Sequence, residues 1–221
     1  MCFYFRQTKE ALEVAKRFKI KRAEYDNLVS KGNYNGFSYP VCETITNIDP
    51  NKISLLYWGL IPTWSKSVEI RKSTLNARIE TLSQLKSFKN NLNNRCLIIA
   101  DGFYEWKHKL SNGKSSTEKF LITTKDNSLF AFAGIYSWWK NPMNQEIFGT
   151  FSIITTQANE LMSEIHNTKQ RMPVILKQND EHSWLEGRDI RDFAFPYSVE
   201  LKAQSHNPAK EKRGDSMNLL L

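Results

Sequence analysis

Residues 95–106 read RCLIIADGFYEW, an apolar run that is followed by Glu105. An acidic residue is unexpected at the end of a buried strand. The stretch Cys96-Leu97-Ile98-Ile99-Ala100 is typical of a buried strand. Glu105 follows it with an aromatic residue on each side. Apolar surroundings disfavour the charged form of a carboxyl group, and a carboxyl group tuned in this way suits a general acid and base. A partnered acid at the rim of the core is the competing interpretation.

Further strand candidates surround this segment, and few helices separate them. Turn-rich sequence at Lys31–Gly36 precedes the strands, and Asn112-Gly113 indicates a hairpin turn. Because the strands do not alternate regularly with long helices, we predict an α+β fold, a mainly antiparallel, partly closed β-sheet system with peripheral helices. The predicted strands cover residues 41–46, 52–58, 95–100, 118–124, 128–135, 150–155 and 172–176. The predicted helices cover 8–18, 157–165 after a Thr156 cap, and 180–185.

The composition describes an ordinary folded domain. The chain has 221 residues, of which 40% are hydrophobic and 12% aromatic. This balance excludes a disordered protein and favours a single domain over residues 1–221, with a loosely ordered tail from about residue 205. No window holds the roughly 18 apolar residues of a membrane span, and the N-terminus lacks a signal-peptide core. We therefore expect a monomeric cytoplasmic protein without a membrane partner.

The three cysteines are an odd number without C-x-x-C spacing. This arrangement disfavours both a disulfide framework and a structural zinc site, and we expect no metal and no cofactor. Cys42 and Cys96 are interpreted as inert core thiols.

Cys2 differs from the other cysteines because removal of Met1 would leave it at the N-terminus. Its α-amine (pKa about 8) and its thiol (pKa about 8.5) would then lie on adjacent carbons. The amine of such a residue condenses with an aldehyde to an imine, and the thiol closes on the imine carbon to give a five-membered thiazolidine ring. Both groups are nucleophiles near neutral pH. A chance cysteine at position 2 is the competing interpretation.

Charge and aromatic content favour a nucleic-acid partner. Lysine and arginine number 31 against 23 acidic residues, which gives a formal net charge of +8. Solvated helical faces or loops explain any single basic cluster equally well. Flat rings within basic sequence are surfaces on which unpaired bases stack, and packing in the core or at its rim is the alternative for each ring. The tryptophans in such turn-like sequence are Trp58, Trp64, Trp106, Trp138 and Trp139.

Two further segments carry polar side chains in patterned positions. An extended chain over Leu75–Glu80 would direct Asn76 and Arg78 to the same side, which places an amide beside a phosphate-binding guanidinium. His166 lies near a predicted helix end, just before the segment Arg171–Leu176. A surface ion pair for Arg78 and a hydrogen-bonded helix-end histidine for His166 explain these residues equally well when each is taken alone.

The motifs follow one another in an order that resembles one protein family. They are Met1-Cys2, Trp58-Gly59-Leu60-Ile61-Pro62, Asn76-Ala77-Arg78, Ala100–Trp106, Phe132–Tyr136, Ile165-His166 and Arg171–Leu176. Over roughly residues 1–200 this joint pattern is similar to that of the SOS-response-associated peptidase family, also called abasic site processing proteins. The resemblance implies an enzyme of the DNA damage response that binds single-stranded DNA at abasic sites and crosslinks to it through an N-terminal cysteine.

The resemblance also implies roles for individual residues at matching positions. Cys2 would be the nucleophile, and Asn76 would orient its amine or the sugar. Glu105 would move protons during ring opening and imine formation, and His166 would act on the sugar oxygen and in reversal of the link. DNA contacts would come from Arg78 at a neighbouring phosphate, from Arg171, and from a hydrophobic wedge that includes Pro40 and Trp64.

The chain departs from the family pattern in two places. Many members continue Met-Cys with Gly-Arg-Phe, whereas this chain has Phe3-Tyr4-Phe5, so the phosphate-binding arginine expected at position 4 is missing. Tyr4, as a hydrogen-bond donor to phosphate, and Arg6 are the expected replacements. The stretch Asn167–Gln170 is longer than the shortest form of that loop, a change that would shift His166 or add a basic contact through Lys169.

Two other function classes stay open at this level. In the first, a processed Cys2 attacks an amide as the nucleophile of a peptidase or amidohydrolase, and the only peptide bond clearly implied is Met1-Cys2 itself. In the second, the protein binds single-stranded DNA through its basic and aromatic side chains without any catalysis. A heat-stable adduct with abasic DNA separates the expected function from both alternatives.

Overall fold

The computed structural model of the protein describes residues 2–21, 31–111 and 113–206. Within these residues the chain forms twelve strands and three α-helices. The strands are β1 (Tyr4–Gln7), β2 (Gly32–Asn35), β3 (Val41–Thr46), β4 (Ser54–Trp58), β5 (Asn76–Arg78), β6 (Arg95–Ala100), β7 (Gly102–Ser111), β8 (Lys114–Thr124), β9 (Phe130–Lys140), β10 (Ile147–Gln157), β11 (Arg171–Pro173) and β12 (Leu201–Ser205). The helices are α1 (Ala11–Phe18), α2 (Glu160–Ile165) and α3 (Glu181–Leu185).

Five strands form an antiparallel sheet in the order β12-β8-β7-β1-β2. Its long β7–β8 hairpin runs from Phe103 opposite Ile122 to Ser111 opposite Lys114. Gly113 in the connection has φ +71°, a conformation that glycine adopts without the steric cost of a Cβ atom. Asn112, the other residue of the predicted turn, lies outside the described residues.

The remaining strands build a second sheet that closes on itself. Its order is β11-β10-β4-β3-β6-β9, and β9 also pairs with β10, so five strands complete a barrel. Gly134 on β9 permits this closure, since a Cβ atom there would lie 2.3 Å from Ile98 Cδ1 and 2.9 Å from Cys96 Sγ. The pairings of β10 with β4 and with β5 are parallel, and the others in this sheet are antiparallel.

Aromatic side chains join the two sheets. Phe5 on β1 and Phe103 on β7 each pack edge-on against Phe132 on β9, with ring centroids 5.8 and 5.9 Å apart. The opposite side of the barrel strands packs against α1 and α3 in a second apolar cluster. Burial of large aromatic rings on both sides of the barrel wall supplies the main driving force for this fold.

The predicted α+β class and the mainly antiparallel, partly closed sheet system are confirmed. The cap of the second predicted helix was wrong. Asn159 caps α2, because its side chain accepts a hydrogen bond from Met162 N. Thr156 belongs to β10, and its Oγ1 accepts a hydrogen bond from Phe195 N at 2.9 Å. The turn predicted over Lys31–Gly36 is instead mostly strand β2, because Gly32–Asn35 pair with β1.

Strands β2, β7 and β12 lie outside the predicted strand ranges, as do β1 and the short β5, which falls in the segment expected to be extended. Strand β7 matters most, because it carries Glu105. The loosely ordered tail predicted from about residue 205 falls almost wholly outside the described residues, and Ser205 is the last residue of β12. None of the helices in the described part of the chain has the length and apolar character needed to cross a membrane.

Candidate active site

Cys2 lies two residues before β1, and Asn76 on β5 holds its main chain. Asn76 Nδ2 donates to the carbonyl oxygen of Cys2 at 2.9 Å. The side chain of Cys2 is 0% exposed, and its Sγ lies 3.7 Å from the carbonyl oxygen of Tyr4. Burial and the neighbouring Glu105 carboxylate raise the pKa of this thiol, so it is protonated at neutral pH. Asn76 Oδ1 is buried and accepts no hydrogen bond from the described residues.

Glu105 occupies a core position of β7. Successive side chains of a strand point to opposite faces, so Phe103 and Glu105 face the barrel while Tyr104 and Trp106 face away from it. Its register partner on β8 is Phe120, and its exposed fraction is 4%. Burial raises the pKa of Glu105 to about 7, which lets the carboxyl group accept and release a proton near neutral pH.

His166 ends α2, and its ring is oriented by the main chain that follows. Its Nδ1 accepts from Arg171 N at 3.1 Å and lies 3.0 Å from Arg171 O. The main chain of Arg171 therefore occupies Nδ1 from two sides and fixes the orientation of the ring. Burial lowers the pKa of His166 to about 4, and the Lys169 ammonium acts in the same direction. The imidazole is therefore uncharged at neutral pH.

The loop after His166 is fastened to the strand that carries Glu105. Asn167 Oδ1 accepts from His108 N at 3.1 Å, and Asn167 Nδ2 donates to His108 O at 2.8 Å. Both bonds lie beyond the end of the β1–β7 pairing, which stops at Tyr4 opposite Tyr104. The side chain of Asn167 thus occupies the free edge of β7 and ties the His166 loop to the strand of Glu105. Sequence analysis identified this longer loop without identifying Asn167 as the residue that anchors it.

The second half of β10 aligns Asn76 and Arg78 along one of its edges and Arg171 along the other. Ile153 pairs with Asn76 and Thr155 with Arg78, while Gln157 pairs with Arg171 from the other side. Asn76 and Arg78, two residues apart on β5, project to the same side of the sheet. This geometry explains how two short strands bring separated sequence motifs to one edge of the barrel.

The two arginines differ in their partners. Arg78 is exposed and has no salt-bridge partner within the described part of the chain. Arg171 forms a two-pronged ion pair with Glu80, with both N–O distances at 2.8 Å, and also donates to Thr155 O at 2.7 Å. Glu80 therefore already offsets the charge of Arg171, whereas that of Arg78 is available to an anion.

Tyr4 and Arg6 lie on the side of β1 that faces away from the barrel. The Tyr4 ring packs edge-on against Trp106, with centroids 5.1 Å apart. Arg6 Nη2 lies 3.4 Å from Asp101 Oδ2, and Asp101 also accepts from the main-chain nitrogen and hydroxyl of Thr8. Arg6 is thus partly neutralised by a buried carboxylate, while Tyr4 belongs to an aromatic surface.

Pro40 and Trp64 border the Trp58–Pro62 turn. The carbonyl oxygen of Pro40 accepts a hydrogen bond from Trp58 N at 2.9 Å. Trp64 is 42% exposed, and Lys86 Nζ lies 4.7 Å from its ring centroid. Arg71, which sequence analysis did not single out, donates to the carbonyl oxygens of Tyr39 and Trp58. The turn requires glycine at position 59, where φ is +104° and a Cβ atom would lie 3.0 Å from Arg71 Cβ.

The other tryptophans divide between core and surface. Trp58 and Trp139 are buried, Trp106 is half-buried and Trp138 is exposed. Cys42 and Cys96 are buried free thiols, as interpreted from the sequence. Over residues 2–21, 31–111 and 113–206, no group of three or more His, Cys, Asp or Glu side chains is arranged to hold a metal ion.

Comparison with known proteins places this geometry in context. Residues 1–206 match the family "SOS response associated peptidase (SRAP)". The chain is 38% identical over 212 residues to abasic site processing protein YoqW of Bacillus subtilis, with 90% of this chain and 89% of the relative covered. It is 36% identical over 193 residues to abasic site processing protein YoaM of the same organism, with 82% of each covered. A crystal structure of a protein from Bacteroides thetaiotaomicron superposes with a TM-score of 0.83 at 33% identity, covering 94% of this chain and 93% of that one.

Proposed function

The chain belongs to the SOS response associated peptidase family, and on that premise we propose that it processes abasic sites in single-stranded DNA by forming a covalent link through Cys2. The sequence-based recognition of the family is confirmed. Relatives that match most of the chain are named abasic site processing proteins, which supports DNA containing abasic sites as the partner. One observation carries the covalent part of the proposal, the hydrogen bond from Asn76 that holds the Cys2 main chain near the buried Glu105 carboxyl group.

The proposed reaction needs a free α-amine on Cys2, so removal of Met1 comes first. An abasic deoxyribose opens to an aldehyde, and the amine attacks the aldehyde carbon. Loss of one water gives an imine. The thiol then adds across the C=N bond, with sulfur binding the carbon and the proton passing to nitrogen, which closes the thiazolidine. The net change is the loss of one water, and no oxidant or reductant is required.

The protonation states of the site favour this order of steps. Because burial raises the pKa of the Cys2 thiol, the amine is the first nucleophile and the thiol follows. Glu105, with a pKa of about 7, takes a proton from the sugar hydroxyl as the ring opens and returns one to the leaving oxygen during imine formation. Asn76 Oδ1, which accepts no hydrogen bond from the part of the chain that the structure describes, is suited to accept one from the Cys2 amine.

His166 is assigned to the sugar oxygen and to reversal of the link. Replacement of His166 with alanine should slow reversal at least as much as formation, because both steps move a proton at the same oxygen. We expect an effect of roughly 10²-fold, the lower end for a positioned acid or base. The measurement is exchange of the preformed adduct in the presence of excess competing abasic DNA.

His182 on α3 provides a matched control for this experiment. Its side chain is exposed and contacts Glu186, the residue that follows the helix, so its replacement with alanine should leave exchange unchanged. Exchange of the His166→Ala adduct at the parental rate would remove His166 from the reaction.

Arg78 is assigned to a phosphate beside the lesion. Arg78→Ala should weaken binding by ~1–3 kcal/mol and reduce the slope of log affinity against log salt by about one counterion, whether or not the strand carries a lesion. Fluorescence anisotropy with labelled single strands at several salt concentrations measures both quantities. Arg191→Ala is the control, because Arg191 is exposed and already paired with Asp189. An unchanged salt slope for Arg78→Ala would place that side chain outside the DNA path.

The remaining DNA contacts follow from exposure and charge. Pro40 and Trp64 would pack against bases beside the lesion, and Tyr4 contributes an aromatic ring. Arg6 and Arg171 would contribute less charge than Arg78, since Asp101 and Glu80 already pair with them. We propose a single strand as the preferred form of the DNA, because a buried reacting residue requires the sugar to leave a duplex stack.

The two alternative function classes have weaker support. A cysteine hydrolase needs a thiolate, whereas burial raises the pKa of Cys2 and the Nδ1 atom of His166 binds the Arg171 main chain. We propose that any peptidase step is limited to release of Met1 by the chain itself. A purely non-catalytic binder would not require a core carboxyl group with a pKa near 7.

The test of the proposed function is adduct formation. The processed protein is incubated with single-stranded DNA that carries one abasic site, and the mixture is heated in denaturant before electrophoresis. A band of retarded mobility that persists after heating is expected, and intact single strands should give none. The proposal is contradicted if the protein binds the abasic strand but releases all of it on denaturation.

A further inference from the structure

The edge of β7 beyond the end of β1 brings parts of the candidate site together. The β1–β7 pairing stops at Tyr4 opposite Tyr104. Alternate residues of an antiparallel strand direct both main-chain groups to the same neighbour, so Trp106 and His108 face the edge that Tyr104 shares with β1. The main chain of these two residues therefore binds groups other than β1.

The first of these groups is the carboxyl group of Glu105, which accepts a hydrogen bond from the main chain of Trp106. Burial raises the pKa of this carboxyl group to about 7, and the bond from Trp106 acts in the opposite direction. Glu105 is thus held at the first position of the edge beyond Tyr104.

The second group is the side chain of Asn167. Its amide exchanges two hydrogen bonds with the main chain of His108, at 3.1 and 2.8 Å, as a residue of a neighbouring strand would. Trp106 and His108 are two residues apart, so the two attachment points lie about 7 Å from each other along β7. The Glu105 carboxyl group and the residue next to His166 are therefore fixed to the same rigid strand.

The loop that carries His166 is also closed on the side away from β7. Gln170 N donates to His166 O at 2.9 Å, and Ala158 N, just beyond β10, donates to Gln170 O at 3.0 Å. These bonds attach the loop to the end of β10. Asn167 adds the attachment to β7, so the longer loop carries its own link to the strand of Glu105.

The proposed reaction makes this link important, because Glu105 and His166 both move protons on one sugar. A misplacement of about 1 Å between reacting groups can lower a rate about 10²-fold. Asn167 is exposed, so its two bonds replace bonds to water and add little to overall stability. Their main effect is on the direction in which the loop leaves α2.

We propose that Asn167 is a positioning residue that sets the distance between the His166 imidazole and the Glu105 carboxyl group. It acts through His166 and does not contact the sugar. This inference rests on the proposed function, because it concerns the same reaction.

Asn167→Ala should slow adduct formation with abasic single strands about 10-fold, and exchange of the preformed adduct by a similar factor, because His166 serves both steps. Affinity for intact single strands, measured by fluorescence anisotropy, should stay unchanged. Asn167→Asp has the same shape but turns a carboxylate oxygen toward the carbonyl oxygen of His108. It should therefore react no faster than Asn167→Ala. Because Asn167 is exposed, both variants should stay folded.

A double variant separates positioning from a general structural role. If Asn167 acts through His166, Asn167→Ala should change the rates by less than about 2-fold when it is introduced into the His166→Ala protein. A general loosening of the loop would instead lower the rates by the same factor in both backgrounds. That result would overturn the positioning role.

Asn144→Ala is the matched control. Asn144 is likewise exposed, and its side chain makes two hydrogen bonds, with the main chain and the side chain of Glu146. It lies in the β9–β10 connection, at the end of β10 remote from the pairing with Asn76. Its loss should leave both rates unchanged.

Three outcomes decide between the positioning role and the proposed function. Adduct formation by Asn167→Ala at the parental rate would overturn the positioning role and leave the proposed function intact. Weaker binding of intact strands by this variant, with unchanged reaction rates, would make Asn167 a DNA contact and would also overturn the positioning role. A parent that gives no heat-stable adduct would overturn both.

Discussion

Cys2→Ala is expected to abolish the heat-stable adduct with abasic DNA completely. The variant keeps an α-amine after removal of Met1, so it still forms an imine, but it lacks the thiol that closes the thiazolidine ring. The imine hydrolyses on heating. The measurement is denaturing electrophoresis after incubation with abasic single strands. Borohydride should reduce the imine of the variant to a stable amine and so restore a heat-stable band, whereas the parent gives that band without borohydride.

A second arm tests the amine. An N-terminal extension that cannot be removed leaves the thiol in place but converts the amine of Cys2 to an amide, and this protein should also give no adduct. Cys42→Ala is the matched control, because Cys42 is likewise a buried free thiol of the same apolar cluster, and it should crosslink normally. Efficient crosslinking by the extended protein would refute the aminothiol mechanism.

Glu105→Gln should slow adduct formation by about 10²- to 10⁴-fold while affinity for intact single strands stays nearly unchanged. Glutamine fits the same position but neither accepts nor releases a proton near neutral pH. The parental rate should change with pH around 7, since the pKa of Glu105 is about 7. This dependence should disappear in the variant, which single-turnover rates across pH 5–9 would measure (a range of about two units on either side of the pKa).

Stability provides the control for Glu105. Its pKa in the folded protein lies above the ordinary value of 4.5, so the folded state binds more protons than the unfolded state between these two pH values. The free energy of unfolding of the parent should therefore fall as pH rises from about 4.5 to 7. Glu105→Gln removes this ionisation and should be at least as stable as the parent above pH 7. If the variant unfolds, or reacts at the parental rate, Glu105 has only a structural role.

The sequence predicted the fold class because its strongest signals are local. The apolar run at 95–100 and the strand at 41–46 have the boundaries that the structure gives them, since both are buried barrel strands. Strand β7 escaped prediction because its second half extends beyond the core and is exposed on both faces, which removes the alternation of apolar and polar residues. Strand β2 escaped because its Gly- and Asn-rich sequence forms a strand only through pairing with β1.

Contacts between residues that are far apart in the sequence explain which features of the candidate site could not be predicted. Thr156 and Asn159 are both acceptable helix caps. The choice depends on Phe195, because its main-chain nitrogen donates a hydrogen bond to Thr156 Oγ1. Arg171 and Arg78 have similar sequence contexts, yet only Arg171 meets a carboxylate, Glu80. Asn167 was not singled out, because its contact with His108 depends on strand register. The reaction roles of the site residues remain predictions.

Mass spectrometry of the purified adduct tests the central claim most directly. The thiazolidine mechanism predicts an intact mass equal to that of the processed protein plus the abasic strand minus one water. It also predicts that digestion yields an N-terminal peptide in which both the amine and the thiol of Cys2 resist alkylation. Two results would contradict the account: an adduct whose Cys2 thiol still reacts with an alkylating reagent, or an adduct in which the DNA is attached to a lysine.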